Sequence, residues 1–159
     1  MFKKYFTLSI NILVVLLLGS CATNTGKQEQ AHQVLQVLFE HLAGGEYEAA
    51  VALYAGSYDT LISFNPTLSP NDQAALWQSG CQVNGLQCLT VRTALFKEVS
   101  TTGEYIFTIE FNAHDGSLFV LDACCGENPT MPPQSQFEYR VIEGRDGQFR
   151  VLDLPVYIP

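Results

Sequence analysis

The chain has 159 residues, 47% hydrophobic and 15% charged, with eight basic and 16 acidic side chains and a formal charge of −8. That length is about one domain. The acidic balance excludes the clustered Lys and Arg that hold phosphate backbones or anionic headgroups, so no nucleic-acid partner is expected.

The first 20 residues read as an export signal. Lys3 and Lys4 precede an apolar run from Phe6 to Leu18, broken only by Thr7, Ser9 and Asn11, and Gly19-Ser20-Cys21 follows. A basic start, a short apolar stretch and small residues make this pattern. The run is shorter than the roughly 20 residues that span a bilayer, which disfavours a permanent transmembrane helix. The ending Leu18-Gly19-Ser20-Cys21 resembles the lipobox of bacterial lipoproteins. The resemblance implies a lipid on the sulfur of Cys21 and cleavage just before it. One acyl chain anchors a protein only marginally; the resemblance implies two or three, palmitate-like in kind, and so a durable membrane contact in the cell envelope. Ala22 follows Cys21, and the absence of an acid there leans toward the outer membrane in a Gram-negative cell. Without residues 1–20 and their two lysines, the mature chain carries six basic and 16 acidic groups, a formal charge of −10.

Residues 21–30 are polar and aperiodic beyond the cysteine, and are expected to be a flexible tether. Residues 31–159 then form a single domain. Ala31, Val34, Leu35, Leu38, Phe39 and Leu42 recur at helical spacing, predicting a helix over 31–43 that Gly44-Gly45 ends. A second helix is expected over 46–55, with Tyr47, Ala50, Val51 and Tyr54 on one face. Residues 58–64 read as a short helix or an extended link. Ser69 as N-cap and Pro70 at the first position start a third helix, expected to stop at Gly80.

After Cys88 the apolar period changes to two. Strands are predicted over 89–99, 104–113, 117–123, 137–143 and 148–154, several separated by glycine-containing turns. Helices first and an antiparallel sheet after them give an α+β domain with the helices on one sheet face. This order, with the Gly-Glu-Tyr-Glu-Ala-Ala step at 45–50, resembles the NTF2-like superfamily, and more narrowly its small bacterial lipoproteins. The resemblance covers about 31–154 and implies a strongly curved sheet forming a cone. It implies little about function, because that fold hosts isomerases, dehydratases, ligand binders and interaction modules.

Strand alternation sorts the side chains. Leu89, Val91, Thr93 and Leu95 are expected on the apolar face of the first strand, opposite Thr90, Arg92, Ala94 and Phe96. Tyr105, Phe107, Ile109 and Phe111 share a face of the second, and Phe137, Tyr139 and Val141 a face of the fourth. Arg92, Glu110, Glu138, Arg140 and Arg150 fall on the opposite, solvated side. Tyr105, Phe107, Phe111 and Tyr139 are the candidates to line a pocket for a small apolar ligand, or else to fill the core. Only Asp153 and Asp122 share the apolar parity, which makes them the candidate bases of an NTF2-like acid–base enzyme; the preferred expectation is no catalysis. His32 and His41 lie nine residues apart on opposite sides of one helix, and His114 sits in a turn, so no metal site or cofactor is implied.

With Cys21 lipidated, Cys81, Cys88, Cys124 and Cys125 remain for disulfides, in three possible connectivities. The Asn84-Gly85 turn favours Cys81–Cys88, leaving Cys124-Cys125 as a vicinal pair and a candidate redox switch. Taken together these features point to a surface-tethered, non-catalytic domain that binds a small ligand or another envelope protein.

Overall fold

The computed structural model describes residues 25–122 and 132–158. Cys21, Cys124 and Cys125 lie outside the described residues.

Helix α1 covers described residues 25–44. It begins earlier than its apolar stripe: residues 25–30, expected as tether, are helical. Lys, Gln and Glu are good helix formers that leave no periodic signal, and Lys27 Nζ donates to Glu143 Oε2 at 2.7 Å, tying this turn to the end of the sheet. Further along, Ala31, Leu35, Leu38, Phe39 and Leu42 are buried as their spacing predicts. Gly45 ends α1 at φ 75°, and Glu46 N–H donates back to His41 O.

Helix α2 is Tyr47–Ala52, shorter than the pattern suggests. Residues 53–55 instead run beside the last strand: Val151 N–H donates to Leu53 O, and Ala55 N–H to Val151 O. Helix α3 is Asp59–Phe64, so the ambiguous stretch is helical. Helix α4 is Gln73–Gln82, and its N-cap is Asp72, whose carboxylate accepts from Ala75 N–H. Ser69, the expected cap, accepts from Asn71 N–H in the preceding turn. Gly80 does not end α4. A Cβ there would lie 2.8 Å from Leu86 and 2.9 Å from Leu61, so its smallness serves close packing inside the helix.

Among the described residues the sheet is an antiparallel meander of four strands, β1 (Val91–Val99), β2 (Tyr105–Phe111), β3 (Phe137–Glu143) and β4 (Phe149–Val151), in that spatial order. Five strands were expected. Residues 117–122 form no strand and make only isolated bridges, Asn112↔Leu118 and Leu121↔Gln134. β3 occupies one edge of β2 as far as Ile109, and Phe119 N–H reaches Phe111 O just beyond it. The segment therefore extends an edge already taken by β3 and has no room to become a central strand.

β2, β3 and β4 keep the predicted parity, with Phe107, Ile109, Phe111, Tyr139, Val141 and Val151 turned inward. β1 does not. An extra residue at Arg92 shifts the register, pairing Val91 with Phe111 but Thr93 with Glu110. A bulge of one residue reverses the side chains after it, here as far as Phe96, because a second extra residue at Lys97 restores the parity. Ala94 and Phe96 thus face inward, and Leu95 faces solvent at 65% exposure.

Phe39 packs edge-on against Phe111 and Tyr139 at 4.8 and 5.1 Å between ring centroids. Trp77 packs against Tyr54 and Tyr58 and donates its Nε1–H to Tyr58 OH at 3.0 Å. Each side chain so buried stabilises the fold by roughly 1.5–3 kcal/mol before entropy is counted. The result is an α+β domain whose helices cover one face of an open sheet.

Candidate functional site

The candidate pocket residues lie in the filled core. Tyr105 packs on Phe149, Phe107 on Phe96 and His32, and Phe111 on Phe39, Phe137 and Tyr139. Burial pushes the Tyr139 phenol well above its usual value, with the Asp153 charge adding to the shift. The interior space that alternation reserved for a ligand is taken by side chains of α1.

Neither candidate base stands free in a cavity. Asp153 Oδ2 accepts from Arg140 N–H at 2.7 Å, and its carboxylate pairs with the guanidinium, Nη2 to Oδ1 at 2.6 Å and Nε to Oδ1 at 3.1 Å. It clamps the chain after β4 onto β3. Asp122 is exposed after the Leu121↔Gln134 bridge. His41 Nδ1 meets Glu46 Oε2 at 2.5 Å, while His114 is exposed. No three metal-ligating side chains gather among the described residues. On the solvated sheet face Lys97 pairs with Glu138, while the Arg92 guanidinium donates to Gly116 O at 3.3 Å.

A disulfide joins Cys81 to Cys88 across 5.5 Å between Cα atoms, closing the loop that holds the Asn84-Gly85 turn. Gly85 takes φ 81°, and a Cβ there would lie 2.0 Å from Ile158 O. The C-terminal segment is laid against this loop, with Gln87 N–H donating to Val156 O and Ile158 N–H to Gly85 O. Beneath it lies Asn65, a buried polar residue in a small network. Its Oδ1 accepts from Ser79 Oγ at 2.5 Å and Asn84 Nδ2 at 2.9 Å, and its Nδ2 donates to Leu61 O.

Three surface clefts lie on the helical side. One, about 730 Å³, runs between α2 and α4 and is lined by Glu46, Tyr47, Glu48, Asp72 and Gln78 among others. A second shares Ala75, Gln78 and Gln82 with it and reaches Val83. A third shares Val83 and extends over Phe64, Gly85, Tyr157 and Ile158. Ala75, Gln78 and Gln82 recur at helical spacing, so the outer face of α4, with Gln78 and Gln82 exposed, is the strip on which these clefts meet, and together they make one grooved surface. One end carries three carboxylates. The other is uncharged, with Phe64 stacked on Tyr157 at 5.4 Å and Val83 77% exposed.

No local pattern in the sequence marks this groove as a whole. Its apolar end joins residues nearly 100 positions apart, and its acids belong to two helices whose spacing no pattern encodes. The exposed Val83 beside Asn84-Gly85 was the one local sign.

The chain matches no family model, no curated protein and no solved structure.

Proposed function

We propose that the chain is an envelope lipoprotein, held to the membrane by lipid on Cys21, whose domain is a non-catalytic protein-interaction module. Leu18-Gly19-Ser20-Cys21 behind a basic, apolar leader supports the anchor, and Ala22 favours the outer membrane. The resemblance to small NTF2-like lipoproteins is part of this reading, the curved cone included. The choice of a protein partner over a small apolar ligand rests on one observation: Phe39 fills the space against Phe111 and Tyr139. An apolar ligand as large as an ordinary metabolite needs about 300 Å³ or more of apolar concave space; this interior is packed, and the 730 Å³ cleft outside it is lined by carboxylates and amides. The acid–base alternative has no comparable support, since the Asp153 carboxylate is occupied by Arg140.

The test uses the full chain expressed in bacteria and released from the envelope in detergent. Radiolabelled palmitate should enter the wild type and not Cys21→Ser, which should leave the membrane fraction. Native mass spectrometry should then give the chain, its acyl groups and no further small molecule. Label retained by Cys21→Ser would remove the anchor, and a co-purifying metabolite would remove the preference for a protein partner.

A further inference from the structure

We propose that the groove over α4 is the docking surface, and that its occupant is a polypeptide segment of a partner protein joining Lys or Arg residues to an aromatic or aliphatic side chain. This deepens the interaction-module reading and rests on it.

Three features select that occupant. The first is adjacency: neighbouring clefts share lining residues on and just after α4, so a single extended segment can cross that face and touch both ends. The second is charge. Glu46, Glu48 and Asp72 line one end, and none of Lys27, Arg92, Lys97, Arg140, Arg145 and Arg150 lines any part of the groove. A cationic segment is attracted there, whereas a phospholipid headgroup or nucleic acid is repelled. The third is the far end. Phe64 and Tyr157 are 41% and 44% exposed beside Val83, and an apolar side chain seated on them would remove all three from water.

Position agrees with the anchor. The described part of α1 starts four residues after Cys21 and runs 20 residues, about 30 Å at 1.5 Å per residue, before Gly45 and Glu46 enter the groove. The acidic end of the groove therefore lies at the end of α1 away from the lipid.

The test selects a phage-displayed library of random twelve-residue peptides on the full chain in detergent. The expected consensus couples at least two Lys or Arg to Trp, Phe or Leu. Synthetic peptides of that consensus should bind about tenfold more weakly to Glu46→Gln/Glu48→Gln, and about tenfold more weakly to Val83→Ser, with unchanged affinity for Leu95→Ser on the opposite sheet face. Raising salt from 0.05 to 0.5 M should weaken binding to the wild type more than to the Glu46→Gln/Glu48→Gln protein. These substituted side chains are exposed, so far-ultraviolet circular dichroism should be unchanged. No enrichment, a consensus lacking either element, or affinity indifferent to both groove variants would overturn the proposal. A photo-crosslinker at Leu95 that captures a partner in the envelope, while one at Val83 captures none, would overturn this surface and leave the interaction-module reading standing.

Discussion

Asp153 and Asn65 differ in what a sequence can say of them. Asp153 stood out as an acid among apolar neighbours, and it holds Arg140 through its backbone N–H and its guanidinium. Asn65 gave no signal, yet it is the buried polar residue among the described core positions, and both ends of its amide are used. A hydrogen bond is worth little in net terms, but a buried partner left unpaired costs about 1–3 kcal/mol. Asn65→Ala deprives Ser79, Asn84 and the Leu61 carbonyl together. Chemical denaturation should show it about 2–3 kcal/mol less stable. An exposed-site control such as Thr67→Ala should stay within about 0.5 kcal/mol.

At the scale of elements, the loop closed by Cys81–Cys88 links α4 to the sheet and receives the C-terminal segment. Its eight residues, from Cys81 to Cys88, are constrained at both ends, and the C-terminal residues hydrogen-bond to its middle. Chain-entropy arguments put such a small loop at about 2.5 kcal/mol. Cys81→Ser/Cys88→Ser should therefore melt on the order of 10 °C lower under oxidising conditions. Hydrogen exchange should rise first at Gln87 and Ile158, whose N–H groups bind across the loop. Reductant should lower the melting temperature of the wild type toward that of the double variant, and equal values before reduction would show that the bridge adds nothing. β1 teaches the other lesson at this scale. Its alternation was legible, but the bulge at Arg92 depends on pairing with β2 and reverses which side chains of residues 93–96 face the helices.

For the whole molecule, titration should give stability a plateau bounded on both sides. Hydrogen bonds hold several surface carboxylates below their ordinary values: Glu104 through Ser100 and Thr102, Glu110 through Gln136 and Thr93, and Asp115 through Ser117. Arg150 brings Asp146 down to about 2. Each stabilises the fold above its unfolded value, and that contribution is lost as pH falls through the folded one. The acid limb should therefore lie below about pH 4.5 and extend toward 2. On the alkaline side, burial raises Tyr54, Tyr58 and Tyr139 above the ordinary value of 10.0. A raised phenol keeps its full contribution below pH 10 and loses it as pH climbs above. Denaturation midpoints across pH 2–12 should be flat between these limits, with the share of phenolate absorbance at 295 nm due to Tyr54, Tyr58 and Tyr139 rising late and together with unfolding. Three tyrosines titrating freely near pH 10 in the folded protein would contradict this packing.

The sequence by itself determined what depends on local pattern. The stripe on α1, the alternation of β2, β3 and β4, and helices on one face of an antiparallel sheet follow from periods of 3.6 and two, which each residue run carries within itself. The pattern behind the proposed export leader is equally local, since its charge, apolar run and Cys21 are contiguous. Tertiary structure decided whatever needed two distant segments. It turned 53–55 away from α2 to pair with β4, kept 117–122 from becoming a strand because β3 already held that edge, and carried α4 through Gly80 because Leu61 and Leu86 crowd it. It also filled the presumed pocket with Phe39 and assembled an acidic and apolar groove over α4. Those outcomes turn on volume and hydrogen-bond partners supplied from across the chain, and periodicity holds no record of either.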